Sequence, residues 1–197
     1  MNYFQTLPKL LVKDKQSIQV ATNLLARVNI ISSLIEDPLI YYSYDIQDSD
    51  TPEIIAHKYY GSVNRFWMVL FANQILDPQW DWPMNNLVFD SFINSKYTIQ
   101  ELSQTHHFEK IITNTTIPEG LVSSETITIS EDDYNDLFES SKTYSTVTGN
   151  VNIRISKNAV DNYTYEYNLN ESKRNIKLLN KSYADKLEVE FNKLMNR

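Results

Sequence analysis

Apolar residues at Val20, Leu24, Leu25, Val28, Ile31 and Leu34 recur at three- and four-residue spacing. That spacing predicts a helix from about Ser17 to Ile35 with one buried face. Asp37-Pro38 ends it, because the residue before a proline is pushed out of the helical region. Ahead of it, residues 1–16 alternate apolar and basic positions around Pro8, which predicts an extended arm. After it, Leu39–Ile46 is β-branched and aromatic enough to be a strand.

From Tyr44 to Pro78 the signals crowd together. Thr51 is placed as an N-cap, Pro52 fits the first helical position, and Glu53 complements the positive end of the dipole. Ile54, Ile55 and Tyr59 are expected to face a core, while His57 and Lys58 point away. Gly61 is positioned to close the helix in the left-handed conformation. Asn64 is expected to cap a second helix burying Phe66, Trp67, Leu70 and Phe71, which turns at Asn73 before Asp77-Pro78 breaks the chain. A third helix is expected from Asn86 to about Tyr97, with Val88, Phe92 and Ile93 inward.

Beyond Tyr97 the texture shifts to Thr, Ser, Asn and Asp around short β-type runs at Phe108–Thr113, Thr126–Ser130, Val147–Ile155 and Tyr163–Leu169. These predict a small sheet or hairpin region. The acidic Glu131–Glu139 stretch reads as a solvated loop or short helix. A last helix is expected over Tyr183–Met195, with Ser182 as N-cap, Asp185 completing a capping-box variant, and a stripe of Leu187, Phe191, Leu194 and Met195. The expected organisation is an arm and helix (1–38), a core (39–97), a β-rich region (98–172) and a C-terminal helix (173–197). The fold class is α+β.

Composition narrows the function. The 197 residues include 42% hydrophobic and 22% charged positions, ordinary for a folded chain, with a net charge of −7. That charge gives no general attraction to nucleic acid or anionic lipid. Three glycines leave no glycine-rich phosphate loop, and the absence of cysteine removes disulfides and thiolate metal sites. The start of the chain shows no basic segment followed by a long apolar one, so no secretory signal is expected. The longest apolar run, Phe66–Ala72, is far short of a membrane helix, so no membrane partner is expected. Thirteen tyrosines and three tryptophans supply amphipathic rings suited to cores and interfaces.

Two resemblances follow from these residues. Tyr44-x-Ile46, Asp50-Thr51, Ile54/Ile55-Ala56 with Tyr59, Gly61, Trp67, Leu70, Asn73 and Pro78 together resemble a LysM module, and so imply a LysM-like β-α-α core. Ser49 stands where the family has glycine before Asp-Thr, and Pro52 where it has leucine. The closing strand of the family is not recognisable after Pro78. A narrower likeness is broader in extent. Ile54-Ile55-Ala56, Tyr59-Tyr60-Gly61, Phe66–Leu70, Asn73, Asp77-Pro78 and Trp82-Pro83 are similar to the core of baseplate wedge subunits of contractile-tailed, T-even-like phages, the wedge protein 53 type. The start (Met1–Phe4, Leu7-Pro8) and the end (Arg174–Leu179, then the last helix) are similar too, so the likeness covers roughly 1–97 and 173–195.

That resemblance implies a structural component of the virion, assembled in the host cytoplasm into the tail baseplate. It would join wedge subunits to each other, to neighbouring wedges, to the sheath-initiating wedge subunit and around the central hub, without catalysis and without a cofactor. The alternative from the broader likeness is a glycan-binding module for peptidoglycan. Candidate interface residues are Phe4, Leu7, Trp80, Trp82, Leu187 and Phe191, since aromatic anchors dominate many interfaces.

Other chemistry is weaker. His106-His107 with Glu109 invites a metal site, but adjacent strand residues face opposite ways and further ligands are not evident. Asp45/Asp48 and Glu131/Asp132/Asp133 invite a glycosidase, yet they lie in polar loops among like charges, where no general acid would be held protonated. No catalytic or metal residue is therefore expected. Lysines 9, 13 and 15 form a basic cluster near the start, and Lys173, Arg174, Lys177 and Lys181 another near the end.

Overall fold

In a computed structural model, residues 6–13, 17–24, 39–117, 119–146 and 149–195 are described. The chain is a mixed α+β protein. It divides into two compact units, Met1–Asn86 with Asn170–Arg197, and Leu87–Leu169.

The first unit opens with strands β1 (Lys9–Lys13) and β2 (Ile18–Thr22), paired antiparallel with Leu11 opposite Val20. A helix expected from Ser17 is therefore corrected: its first turn is a strand. Ile18, Val20 and Thr22 are β-branched at alternate positions, and pairing with β1 satisfies backbone groups that a helix would satisfy locally. Leu25, Val28, Ile31 and Leu34 lie outside the described residues.

Strand β3 (Tyr41–Asp45) leads into α1 (Pro52–Tyr60). The Thr51 side chain accepts the Ile54 N–H at 3.3 Å, Pro52 occupies the first turn, and Gly61 closes the helix at φ 73°. A 3-10 turn (Val63–Arg65) precedes α2 (Phe66–Ala72), and a short α3 (Pro78–Asp81) is capped by Asp77. The sheet that β3 begins is closed by β8 (Asn175–Leu179), antiparallel to it with Tyr44 opposite Ile176. The last helix, α8, runs Lys181–Met195. It starts two residues before the expected point: Asn180, not Ser182, precedes the first turn, accepting Ser182 N–H on its side chain and Ala184 N–H on its carbonyl.

The core of this unit joins Ile46, Ile55, Ala56, Tyr60, Trp67, Met68, Val69, Ile176, Leu178 and Leu179 to Ala184, Phe191 and Met195 of α8. The helices are rotated from the expected faces. On α1, Ile55, Ala56 and Tyr60 face inward while Ile54 is half exposed; on α2, Met68 and Val69 are buried and Leu70 only partly. On α8, Leu194 lies half exposed and Ala184 takes its place. The reason is that α1 packs on α2 and the 3-10 turn, while α2 also packs on β8. Where one helix crosses another, the crossing geometry selects the buried face, and this need not be the most apolar one.

The second unit contains α4 (Asn86–Lys96, its first residue belonging to the first unit), α5 (Ile99–Leu102), β4 (Thr105–Ile117), β5 (Val122–Ile129), α6 (Glu131–Asp136), β6 (Ser140–Thr146), β7 (Gly149–Asp161) and α7 (Asn162–Glu171, ending in the first unit). Its sheet is antiparallel in the order β5-β4-β7-β6. Tyr163–Leu169, expected as a strand, is helical. Asp161 accepts the Thr164 N–H at 2.7 Å, and Tyr163 and Tyr167, one turn apart, both meet Phe89 edge-on. On α4, Phe89 and Ile93 are buried, whereas Val88 is exposed.

Candidate interaction surface

The turn between β3 and α1 is organised by one carboxylate. Asp50 is buried; it accepts the Tyr44 hydroxyl (2.7 Å), the Gln47 N–H (3.1 Å) and the Lys58 ammonium (2.6 Å). Burial alone would raise its pKa, but Lys58, Tyr44 and Gln47 together hold it below the usual carboxylate value. The hydrogen bond to this anion, with burial and the charge itself adding, pushes the Tyr44 hydroxyl up to about 12. Trp82 donates its indole N–H to the Asp50 carbonyl at 3.1 Å. The Asp-Thr turn is thus fixed from four directions, and its polar groups are spent internally.

Asn73 performs a comparable task at the other end. Its amide nitrogen donates to Val69 and Lys177 carbonyls, both at 2.8 Å, and its oxygen accepts the Lys177 N–H at 2.7 Å. One side chain ends α2 and pins β8. Arg65 donates to Asp185 and Glu188, both at 2.7 Å, fastening α8 to the 3-10 turn.

These contacts redistribute the residues expected at an interface. Leu7 and Phe191 are buried in the first unit's own core, Phe191 lying 4.8 Å from the Trp67 ring. Leu187 and Trp82 pack against that core, and Phe4 lies outside the described residues. Leu7 and Phe191 therefore serve the unit's own core, whereas Leu187 and Trp82 keep part of their surface in solvent. Trp80 remains outward, 61% exposed, anchored by Lys173 donating to its carbonyl.

The exposed apolar surface lies where the sequence reading placed little weight. The β1–β2 hairpin shows Leu10, Leu11, Val12, Ile18 and Val20, with Leu11 76% exposed. At the β4–β5 tip stand Ile117, Leu121 and Val122, and beyond α6 Phe138 is 88% exposed. Alternating apolar and basic residues in the arm were the available signal for the first. No local pattern marks an exposed phenylalanine.

The chemical candidates resolve differently. A bulge between Thr105 and His107 puts two adjacent histidines together, their Nδ1 atoms 2.9 Å apart, against the expectation that they face apart. His107 Nε2 meets Glu109 at 3.2 Å and His106 stacks on Tyr165. Among the described residues no group of three or more His, Cys, Asp or Glu is arranged to hold a metal. Asp45 accepts from Asn175 and Asp48 from Arg174, and α6 displays Glu131, Asp132 and Asp133 to solvent. An open polar cleft of about 630 Å³ is lined by Asp45, Gln47, Asp48, Glu171 and Arg174, the last already engaged by Glu171 and Asp48. No helix among the described residues is long and apolar enough to cross a membrane.

A chain built of a rigid small core, a polar sheet and exposed apolar projections has the character of an assembly component. The family model described as base plate wedge protein 53 matches residues 5–195, and the chain belongs to that family. It is a structural protein of the phage tail baseplate. No curated protein matches the chain significantly.

Proposed function

We propose that the chain is a non-catalytic joint of the baseplate wedge, linking wedge subunits to each other and to neighbouring wedges around the central hub. Its site of assembly is the host cytoplasm. The family match over nearly the whole length carries this reading. The surface supports it: large apolar side chains stand on a hairpin, a strand tip and Trp80. Of the acids that could serve catalysis, Asp45 and Asp48 are engaged by Asn175 and Arg174, and the α6 acids stand together in water. Contact with the sheath-initiating subunit belongs to the same proposal.

The first unit is proposed as a LysM-like core used as scaffold. In it, β3, α1 and α2 are followed by a strand that pairs antiparallel with β3, supplied by Asn175–Leu179. The residues that shape it are Tyr44, Ile46, Asp50, Thr51, Ile55, Ala56, Tyr59, Gly61, Trp67 and Asn73. Glycan capture is the competing reading, favoured only by the polar cleft beside Asp45–Asp48.

Complementation tests the main proposal. Phage lacking the chain should stall with wedges not joined into baseplates, and supplying Trp80→Ala or Leu11→Glu chains should restore joining at least about tenfold less well than wild type. Restoration at the wild-type level by both would remove the proposed surface. Saturable binding of chito-oligomers, lost on changing Asp48 and Arg174, would instead support glycan capture.

A further inference from the structure

Granting the role of joint between wedges, we propose that the β1–β2 hairpin of one copy docks on the acidic patch around α6 of the next copy, making a head-to-tail contact.

The hairpin has the make-up of an inserted element. It is two strands of five residues each, a size that is marginal in water without a covering layer. The register puts Leu11, Val20 and Ile18 on one face together with Lys9 and Lys13. Leu11, Val20 and Ile18 are exposed, so this face is an apolar strip with a lysine at each end. In a chain of net charge −7, such a strip calls for a surface that is apolar in the middle and anionic at the edges.

The second unit carries that surface. Helix α6 places Glu131, Asp132, Asp133 and Asp136 within six residues, and Ser130 engages only Asp133. Among the described residues no ion pair engages these four carboxylates. Beside them Phe138 stands almost fully exposed, and a cavity of about 270 Å³ is lined by Ile129, Leu137, Lys110, Asp133 and Asp136. Ile129 and Leu137 give an apolar floor, and the carboxylates of Glu131, Asp132, Asp133 and Asp136 outnumber the one lysine of the lining, Lys110, which matches the hairpin's apolar strip and basic ends. A contact between two different patches of identical chains is heterologous, and such contacts build a ring where their rotation closes, the arrangement that a joint between wedges around a hub would use.

The chain lacks cysteine, so introduced thiols report the contact cleanly. A full-length Leu11→Cys chain with one tag is mixed with a full-length Phe138→Cys chain bearing another. With diamide supplied as the two-electron oxidant, the expected result is a mixed disulfide joining both tags, at least about tenfold above the same-tag disulfide that either variant forms alone. Lys9→Glu with Lys13→Glu should abolish it, and Asp132→Lys with Asp136→Lys on the other copy should restore it. Circular dichroism confirms that each variant is folded. The proposal is overturned by no mixed disulfide at about 1 mM protein, where even weak specific contacts are populated. It is also overturned if the charge exchange fails to restore linkage, or if a Leu11→Cys/Phe138→Cys chain closes within itself at any dilution. Baseplate joining that persists without linkage discards this contact and leaves the joint role standing; a wild-type chain dispensable for joining removes the role itself.

Discussion

The two units solve the problem of holding together in opposite ways. In the first, two helices, a two-stranded sheet and α8 share a continuous core in which Ile55, Met68, Val69 and Leu178 are fully buried. In the second, the long strands β4 and β7 pair over a dozen positions, yet their side chains are at best half-buried until Val160. Its few buried groups lie around Phe89, Ile93 and Glu166, the last accepting from Lys96 at 2.6 Å and from Tyr97 at 2.9 Å. The first unit is held by apolar burial, the second by ladder hydrogen bonds and a polar anchor. An extended sheet with little core of its own keeps surface available for neighbours, which suits an assembly protein.

That contrast is open to experiment, and the largest effect is expected in the first unit. Trp67→Ala should cost about 3–5 kcal/mol, because it empties the space beside Phe191. Urea unfolding followed by hydrogen exchange should show the loss in residues 41–72 and 175–195. A melting profile like the parent's there would refute the central place given to Trp67.

Asp50→Ala comes next, at about 2–3 kcal/mol, since the Tyr44, Gln47 and Lys58 donors lose their acceptor together. The same residue predicts an acid limit. Its folded pKa is depressed, so its contribution is complete above the unfolded carboxyl value, about 4, and is lost as pH falls through the lower folded value. Asp50→Asn should flatten that acid-side slope in pH-dependent unfolding. On the alkaline side, Tyr44 should ionise only near pH 12, and ultraviolet titration should lose this late step in Tyr44→Phe.

Asn73→Ala should cost about 2 kcal/mol by freeing the end of α2 and the middle of β8 at once. Exchange protection of the Lys177 amide is the direct readout. The second unit should respond far less. Ile153→Ala, on the half-buried sheet, is expected to cost about 1 kcal/mol or less. Equal costs for Ile153→Ala and Trp67→Ala would erase the distinction between the units.

Much of the first unit was legible because its signals are local. Thr51, Pro52 and Gly61 act on backbone groups within one turn, and they cap α1 as their types predict. The site residues were only partly legible. Asn73 could be picked out as a turn residue, but its hold on Lys177 spans 104 positions of sequence. Trp80 and Trp82 are chemically alike in the sequence; only the reach of Trp82 to the Asp50 carbonyl turns one inward and leaves the other in water. The strand that pairs with β3 was not legible near it because Asn175–Leu179 lies far along the chain.

The sequence by itself determined the α+β class, the α1 boundaries, the acidic charge and the absence of thiol chemistry, since each depends on residue type and near neighbours. Tertiary structure decided the rest. Pairing with β1 made Ile18–Thr22 a strand, contact with Phe89 accompanied the helix at Tyr163–Leu169, and the packing of α1 on α2 and of α2 on β8 chose which helix faces are buried. Those outcomes depend on which partner satisfies a backbone or covers a ring, and a linear pattern does not encode the partner's distance along the chain.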